Sequence, residues 1–314
     1  MLTGMITDGI EFNNAKVHQV IEYLESIDRK KIQVPPCNLK INNDGRYLFL
    51  SVMEDGVKDY LIRKSFLHKL LKWYSFPLGQ LNRLSIDTIT SVCNDYLMNI
   101  NRSFVNITIE KGEALTITSP EYNEITDLDV IKGCANLGVR TVSRNDFMLR
   151  ITTEEKFKFD AVPGDNCGIG INVINSETGF RTLSISHYVL RYICSNGAIV
   201  KVNNTCGEKV HYGHQENELQ LFLQAQVTMA LSNQMKVAQS ISGLTNKPAS
   251  EFVESVNKRI ESYLGKSEGR NFISNFNSNS SLYDLFNLVT LKAKNYDLSR
   301  RILLESLAGD LIFN

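Results

Sequence analysis

The stretch GIGINVINSETGFRTLSISHYVLRYICSNGAIV, residues 168–200, decides the fold class of this chain. It alternates strand-forming runs, rich in Ile, Val, Leu and Tyr, with turn residues at 175–179 and 195–197. The links between the runs are too short for helical crossovers, so neighbouring strands should be antiparallel. Similar runs begin at residue 139 and continue to residue 203. The sequence therefore predicts a central antiparallel meander.

Outside this meander the sequence predicts two hairpins and several helices. Turn residues Gly45 and Lys111–Gly112 indicate hairpins over residues 39–52 and 102–118. Apolar periodicity predicts helices at about 17–24, 60–74, 86–98 and 127–137, and after the meander at about 216–240, 249–264, 282–294 and 299–311, with a polar loop over 267–281. Ser85 and Thr126 are the expected N-caps, and Gly138 the expected end of the fourth helix. The predicted fold class is α+β, with a central antiparallel sheet, N-terminal hairpins and helices, and a helical C-terminal third.

We expect three regions along the 314 residues. Residues 1–59 would form an N-terminal extension of a helix and a hairpin. Residues 60–214 would form a mixed α+β core with the antiparallel sheet, and residues 215–314 a helical region packed on that sheet. This length is enough to bury a sizeable core without disulfides or metals.

Composition restricts the classes of function. The 34 Lys and Arg balance the 34 Asp and Glu, so the protein is not uniformly basic, and binding to nucleic acid would have to use local patches. The six cysteines are widely and irregularly spaced, as is typical of reduced thiols. The first residues lack a signal-peptide pattern, and no run approaches the ~18 apolar residues of a membrane span. We expect a cytoplasmic protein that has no membrane association and no cofactor.

A basic stripe is the most informative local pattern. Residues 58–83 contain six Lys or Arg and one acid. Lys64, His68 and Lys72 recur at i, i+4 and i+8, which places them on one face of the predicted helix, and Trp73 follows directly. Clustered cations next to aromatic rings suit a nucleic-acid backbone and its bases. A solvated helix face with a partly buried Trp is the alternative interpretation.

Arginines of the predicted meander could extend this positive surface. Arg140, Arg144 and Arg150 have the same parity in what we predict to be one strand, which permits them to share a face. Arg181 and Arg191 lie further along the meander. By contrast, residues 108–131 hold six acids, so the neutral net charge conceals segregated charges.

Other patterns point to chemistry less directly. Cys194, Cys206, His211 and His214 are weak candidate zinc ligands, because structural zinc sites usually have more closely paired cysteines. Cys194 as a nucleophile would need a histidine on its own side of the strand. The glycines of GDNCGIG, residues 164–170, are followed by a strand and by no Lys-Ser/Thr pair, which argues against a phosphate-binding loop. We therefore predict neither a metal site nor a catalytic residue.

The stretch NVINSETGFRTLSISHYVLRYICSNGAIV, residues 172–200, resembles the core of a phage- and plasmid-associated family known as domain of unknown function 932. Its sharpest motif is Arg-x-x-Cys-x-Asn, at Arg191, Cys194 and Asn196. Residues 115–131, with Tyr122, and residues 280–293 are similar to other segments of the family. The resemblance spans roughly residues 60–295 and implies a mobile-element context, but it brings no catalytic residues. In the motif we expect Cys194 to be buried, Asn196–Gly197 to form the turn, and Arg191 to be exposed or paired.

Three functions remain open. The first is a phage or plasmid protein that binds single-stranded nucleic acid, with an oligomeric single-strand annealing protein of recombination or replication as the specific candidate. Its phosphate contacts would be Lys64, His68, Lys72, Arg140, Arg144, Arg181 and Arg191, with Trp73 for base stacking. The second is a phage structural or protein-interaction factor, such as one that counters host defence, and it would expose an apolar patch on a C-terminal helix. The third is a metal- or thiol-dependent enzyme acting on nucleic acid.

Overall fold

The computed structural model describes residues 9–13, 16–54, 56–193, 195–201, 208–209 and 216–313. Its strands are β1 (Gly9–Asn13), β2 (Arg29–Val34), β3 (Leu39–Asn43), β4 (Leu48–Glu54), β5 (Gly56–Ile62), β6 (Val105–Glu110), β7 (Glu113–Thr118), β8 (Val139–Asn145), β9 (Met148–Thr153), β10 (Phe157–Asp160), β11 (Asn166–Asn175), β12 (Leu183–Arg191), β13 (Asn196–Val200) and β14 (Glu208–Lys209). Its α-helices are α1 (Val17–Ser26), α2 (Lys64–Trp73), α3 (Ile86–Met98), α4 (Asp127–Gly133), α5 (Glu216–Ser232), α6 (Gln234–Gly243), α7 (Val253–Leu264), α8 (Lys266–Phe272), α9 (Leu282–Ala293) and α10 (Leu298–Asp310).

The central sheet is the predicted antiparallel meander. Its strand order is β1-β8-β9-β11-β12-β13, and β10 and β14 pair with β11 and β12. Strands β9 and β10 both pair with β11, at different positions along it. All of these pairings are antiparallel, and between β8 and β13 the short links favour this arrangement. The α+β class is confirmed.

The N-terminal sheet contains both predicted hairpins. Its order is β2-β6-β7-β5-β4-β3, and only the β5–β7 pair is parallel in the described part of the chain. Gly45 and Gly112 take positive φ angles of 87° and 76° in the two hairpin turns, as predicted for tight turns. Ser85 caps α3 and Thr126 caps α4, each by accepting a backbone N–H hydrogen bond.

The boundary predicted at residues 59 and 60 is wrong, because it lies inside β5. That strand pairs with β4 on one side and with β7 on the other, so the first 59 residues are not a separate extension. The helix predicted from residue 60 begins at Lys64, since Tyr60–Ile62 belong to β5. Strand β1 joins the central sheet instead, beside β8.

Apolar cores hold the helices against the sheets. Helices α2 and α3 pack on the N-terminal sheet through residues such as Phe66, Leu70 and Ile89. Helices α1, α4 and α5 cover one half of the central sheet. Helices α6, α7, α9 and α10 cover its β10–β13 end, so the C-terminal third packs on the sheet as predicted.

Two details of the C-terminal third differ from the prediction. The long helix expected over 216–240 is interrupted at Asn233 between α5 and α6. Helix α8 occupies the first half of the predicted polar loop, where Gly269 packs closely against the backbone of Glu261 in α7. Among the described residues, no helix combines the length and apolar character needed to cross a bilayer.

A buried network of ion pairs joins the two sheets. Glu110, at the end of β6, is its centre and contacts Arg29, Arg63 and Arg144. Arg63 and Arg144 reach it at 3.1 and 3.0 Å. Burial opposes the ionisation of Glu110, but the guanidinium groups of Arg144 and Arg29 outweigh it and lower the pKa of this carboxyl to about 2.

The network continues into the central sheet. Arg63 also reaches Asp146 at 2.9 Å, and Arg144 reaches Asp127 at 3.0 Å. Burial and the nearby Glu177 raise the pKa of Asp127 to about 7, although Arg144 acts in the opposite direction. Glu110 and Asp127, two of the six acids in the segment 108–131, therefore pair with arginines inside the fold.

Candidate functional site

A cleft of about 1010 Å³ lies between α2 and the start of α10. Its walls carry cations from both ends of the chain, and we call it the basic cleft. One wall is α2, with Lys64, His68 and Lys72, and the other holds Lys294, Arg300 and Arg301. Glu11 and Asp297 are the carboxylates that line it. The predicted stripe on α2 thus faces a second group of cations.

The amphipathic pattern of α2 explains how the stripe reaches the cleft. Phe66, Leu67, Leu70 and Leu71 are buried against the N-terminal sheet. Lys64, His68 and Lys72, which are spaced four residues apart, then lie on another face of the helix. Lys64 and Lys72 are exposed, and neither has a carboxylate within ion-pair distance in the described part of the chain.

His68 carries no charge in the cleft at neutral pH. Its side chain is half-buried, with its ring 5.6 Å from that of Phe147. Burial, together with the charge of Lys64, lowers its pKa to about 4. The positive charge of this wall therefore comes from the two lysines.

The opposite wall was not predicted from the sequence. Arg300 is exposed and lies 3.7 Å from Asp297 and 3.9 Å from Glu268, which are loose contacts. Arg301 donates to Glu305 at 2.8 Å. The basic start of α10, in the sequence DLSRR at residues 297–301, was the signal that could have identified these residues.

Aromatic rings accompany the cations in the cleft. Phe147, Phe180 and Tyr296 line it. The rings of Phe147 and Phe180 pack edge to face at 5.0 Å, and the ammonium of Lys72 lies 5.8 Å from the centre of the Phe180 ring. All three residues are partly exposed, and aromatic rings beside cations are the two components of single-strand binding sites.

A smaller depression of about 280 Å³ continues the basic cleft along β1 and β8. The two share Glu11, Ser143 and Arg301. Arg140 lines this depression and forms an ion pair with Glu155 at 2.5 Å. The structure therefore places Arg140 next to the basic cleft but gives it a carboxylate partner.

Trp73 does not lie in the basic cleft. It lines a third depression, on another side of α2, together with Lys69 and Tyr122. The structure therefore separates Trp73 from Lys64 and Lys72, because residue 73 is about 100° around the helix from residue 72. Phe180 is the aromatic residue next to Lys72.

Arg144 and Arg150 do not form a shared positive face. The segment predicted as one strand is a hairpin, in which Arg150 lies opposite Ser143 and therefore points away from the side of Arg144. Arg150 pairs with Glu305 of α10 and donates to Asn172 at 2.9 Å. Arg144 borders the cleft, but it is buried and its guanidinium is held by carboxylates of the inter-sheet network, which argues against a phosphate contact.

Arg181 and Arg191 also lie outside the basic cleft. Arg181 is half-buried, and burial lowers its pKa. Arg191 forms an ion pair with Asp165 at 2.6 Å, and the hydroxyl of Tyr283 donates to the same carboxylate at 2.7 Å. In the Arg-x-x-Cys-x-Asn motif, Arg191 thus ties β12 to the turn before β11 and to α9.

The turn after Arg191 differs from the expected one. Asn196 pairs with Arg191 as the first residue of β13, and Ser195 takes the positive φ of 48°. A Cβ on Gly197 would overlap the Tyr188 ring, so this glycine serves close packing. Gly168 and Gly170 both lie in β11, where they pack closely against Tyr192 and Thr153. The glycine-rich segment therefore forms a strand, as predicted.

The metal and thiol hypotheses find no support in the described residues. Cys194, Cys206, His211 and His214 lie outside them. The described residues contain no group of three or more His, Cys, Asp or Glu placed to hold a metal ion. Burial raises the pKa of Cys93 and Cys134 to about 12 and that of Cys167 to about 11, which keeps these thiols unreactive.

Comparison of the chain with protein-family models, with curated proteins and with solved structures finds no match. The resemblance to domain of unknown function 932 therefore stays a prediction, and function has to be argued from the geometry of the site.

Proposed function

We propose that the protein binds a single strand of nucleic acid in the basic cleft. The observation that carries the proposal is the meeting of two groups of cations, from α2 and from the start of α10, across one cleft that also contains aromatic rings. Lys64, Lys72 and Arg300 would contact phosphates, and Phe180 would stack on a base.

A single strand fits this site better than a duplex. Backbone contacts alone would serve either form, but bases in a duplex are already stacked on each other. Phe147, Phe180 and Tyr296 offer ring faces and edges that only unpaired bases can use. The zero net charge of the chain supports a local binding site over a generally basic surface.

The biological context belongs to the same proposal. The resemblance to a phage and plasmid family favours a role in recombination or replication, with single-strand annealing by a homo-oligomer as the specific activity. Such a protein would act in the cytoplasm, where its thiols remain reduced.

The test is the binding of labelled oligo-dT, measured by fluorescence anisotropy over a series of salt concentrations. Affinity should fall steeply with salt, because bound phosphates release counterions. Lys72→Ala should weaken binding and reduce the slope of log K against log salt by about one unit. Lys64→Ala should behave in the same way.

Lys236→Ala is the matched control. Lys236 is an exposed helical lysine on α6, outside the basic cleft, and its loss should leave both affinity and slope unchanged. An absence of binding at low salt, or equal losses in the control and cleft variants, would reject the proposal. The mass of the protein in solution, recorded alongside, tests the oligomer.

A second function is favoured by one observation. Helices α5 and α6 expose Leu221, Met229, Leu231 and Met235, with Leu221 66% and Met235 62% exposed. An exposed apolar surface on a C-terminal helix is what a protein-interaction factor would show. Binding to a protein that persists at moderate salt, without any binding of oligo-dT, would support this alternative.

A further inference from the structure

The depression that contains Trp73 is separate from the basic cleft. Its volume is about 360 Å³, which is within the ~300–1,000 Å³ of small-molecule sites. Trp73, Tyr122, Lys69, Arg102 and Thr118 are among the residues that line it, and we call it the tryptophan depression. Its size suits one small planar molecule and not a length of strand.

One residue that lines this depression has a buried hydroxyl group without a protein partner in the part of the chain that the structure describes. Thr118, the last residue of β7, is only 2% exposed. Its Oγ1 has no hydrogen-bond partner among the described residues. A buried hydroxyl without a partner is unfavourable, and such groups are usually satisfied by water or by a ligand.

The other side chains indicate the chemical class of that ligand. Trp73 is partly buried and is the largest aromatic side chain that lines the depression. Lys69 lies between the rings of Tyr122 and Phe180, and its ammonium donates to the carbonyl of Gly179 at 2.7 Å. An ammonium has three N–H donors, so Lys69 keeps donors for an anion.

Arg102 provides a second cation at the edge of the depression. It is paired at 2.5 Å with Glu121, but both side chains are largely exposed. An exposed ion pair of this kind contributes little energy, so a phosphate can compete for the guanidinium. An aromatic surface, a buried hydroxyl and two cations together match a base joined to a phosphate.

We propose that the tryptophan depression binds one nucleoside monophosphate group, with its base stacked on Trp73, a polar edge of the base hydrogen-bonded to the Thr118 hydroxyl, and its phosphate held by Lys69 and Arg102. The choice of a nucleotide as ligand rests on the proposed function. The group can come from a free nucleotide or from one nucleotide of a strand bound in the basic cleft, since Phe180 borders that cleft and also contacts Lys69.

The test uses the intrinsic fluorescence of Trp73, which is the only tryptophan of the chain. Thymidine and adenosine monophosphates are titrated into the full-length protein, with excitation at the red edge of the tryptophan band to limit absorption by the bases. We expect saturable quenching, because a stacked base perturbs the indole directly. Oligo-dT is titrated in parallel as the strand-borne source.

Thr118→Val and Thr116→Val form a matched pair of variants. Thr116 is a buried threonine on the same side of β7, but it lies outside the depression and its hydroxyl donates to Thr178. Thr118→Val should weaken nucleotide binding about tenfold, as for the loss of one buried hydrogen bond. Thr116→Val should leave the affinity unchanged. Thermal melts of both variants show whether each has folded.

The outcomes separate this inference from the proposed function. Quenching by mononucleotides that depends on Thr118 supports a free-nucleotide site, and Thr118-dependent quenching by oligo-dT alone supports a nucleotide of the bound strand. If neither ligand quenches Trp73, or if Thr118→Val binds as the wild type does, the inference fails. Salt-sensitive anisotropy that depends on Lys72 would leave the proposed function standing in that case.

Discussion

Single side chains of the basic cleft differ in what they contribute, although their spacing in the sequence is regular. Lys64 and Lys72 are exposed and charged, whereas His68 between them is half-buried and neutral. Its low pKa arises from burial and from the charge of Lys64. A phosphate bound nearby would favour the imidazolium, so binding should be coupled to uptake of a proton at His68.

The resulting prediction is an increase in affinity for oligo-dT as the pH falls. The free protein holds His68 neutral above pH of about 4. In the complex the nearby phosphate would raise the pKa of His68, so His68 would be protonated at a higher pH than in the free protein. The affinity should therefore rise as the pH falls from about 7 to about 5. Anisotropy at constant ionic strength measures this, and thymine itself takes up no proton in that range.

His68→Gln is the control for this pH dependence. The variant should bind within about twofold of the wild type at neutral pH, where His68 is neutral, but lack the rise. Glu11 and Asp297 also line the cleft, but both are present in the wild type and in the variant, so their effect on affinity is common to the two proteins. A rise of the same size in His68→Gln would therefore exclude His68 as its source.

The parity of residue numbers did not predict which arginines share a face of the sheet. The rule that same-parity residues share a face holds only within one strand, and the turn at Asp146–Phe147 puts Arg144 and Arg150 on different strands. The residues NDF at 145–147 contained the turn signal, since Asn145 accepts from the backbone of Phe147 and Met148. Recognising that turn would have separated the two arginines.

Helices that depend on residues close in the sequence were predictable, whereas features that depend on contacts between residues far apart in the sequence were not. Helix α3 runs from Ile86 to Met98 with its cap at Ser85, as expected, because capping and periodicity are local properties. The stripe on α2 was found for the same reason. The facing wall comes from α10, at the other end of the chain, and no local pattern connects the two.

Close packing of α10 on β13 gives a prediction for one glycine. A Cβ on Gly309 would overlap the backbone carbonyl oxygen of Ile199 in β13. Backbone atoms cannot give way as a flexible side chain can, so Gly309→Ala should lower the free energy of unfolding by about 3 kcal/mol. Urea denaturation followed by circular dichroism measures the change.

Gly243→Ala is the matched control within the C-terminal helices. Gly243 is the last residue of α6, and nothing lies within 4 Å of its Cβ position. Alanine should therefore stabilise the protein by about 0.5–1 kcal/mol through lower backbone entropy in the unfolded chain. Equal effects at both sites would show that α10 does not pack on β13 as closely as the structure has it.

At the scale of the whole molecule, the charges that are segregated in the sequence meet in space. The acids of 108–131 and the arginines of the meander suggested separate surfaces, but Glu110 and Asp127 pair with Arg144 inside the fold. Composition and local patterns predicted the fold class and both hairpins. They could not predict this network, because it forms only when the two sheets come together.

Glu110→Gln should show how strongly the network holds the sheets together. Glu110 is 0% exposed and contacts three guanidinium groups. Gln cannot replace the charge that these three groups share inside the fold, so the free energy of unfolding at neutral pH should fall by about 3–5 kcal/mol, although Arg63 and Arg144 keep the carboxylates of Asp146 and Asp127. Glu113→Gln is the control, because Glu113 is 20% exposed and its carboxylate pairs with one arginine, Arg63, in the described part of the chain, so the loss of its charge should cost about 1 kcal/mol.

Acid titration tests the same assignment independently. The pKa of Glu110 is lowered from 4.5 to about 2 in the folded protein. Its contribution to stability is therefore present above its ordinary pKa of 4.5 and is lost as the pH falls towards about 2. The difference in unfolding free energy between wild type and Glu110→Gln should shrink over this range. A difference that stays constant with pH, or one below about 1 kcal/mol at neutral pH, would mean that apolar packing and not Glu110 joins the two sheets.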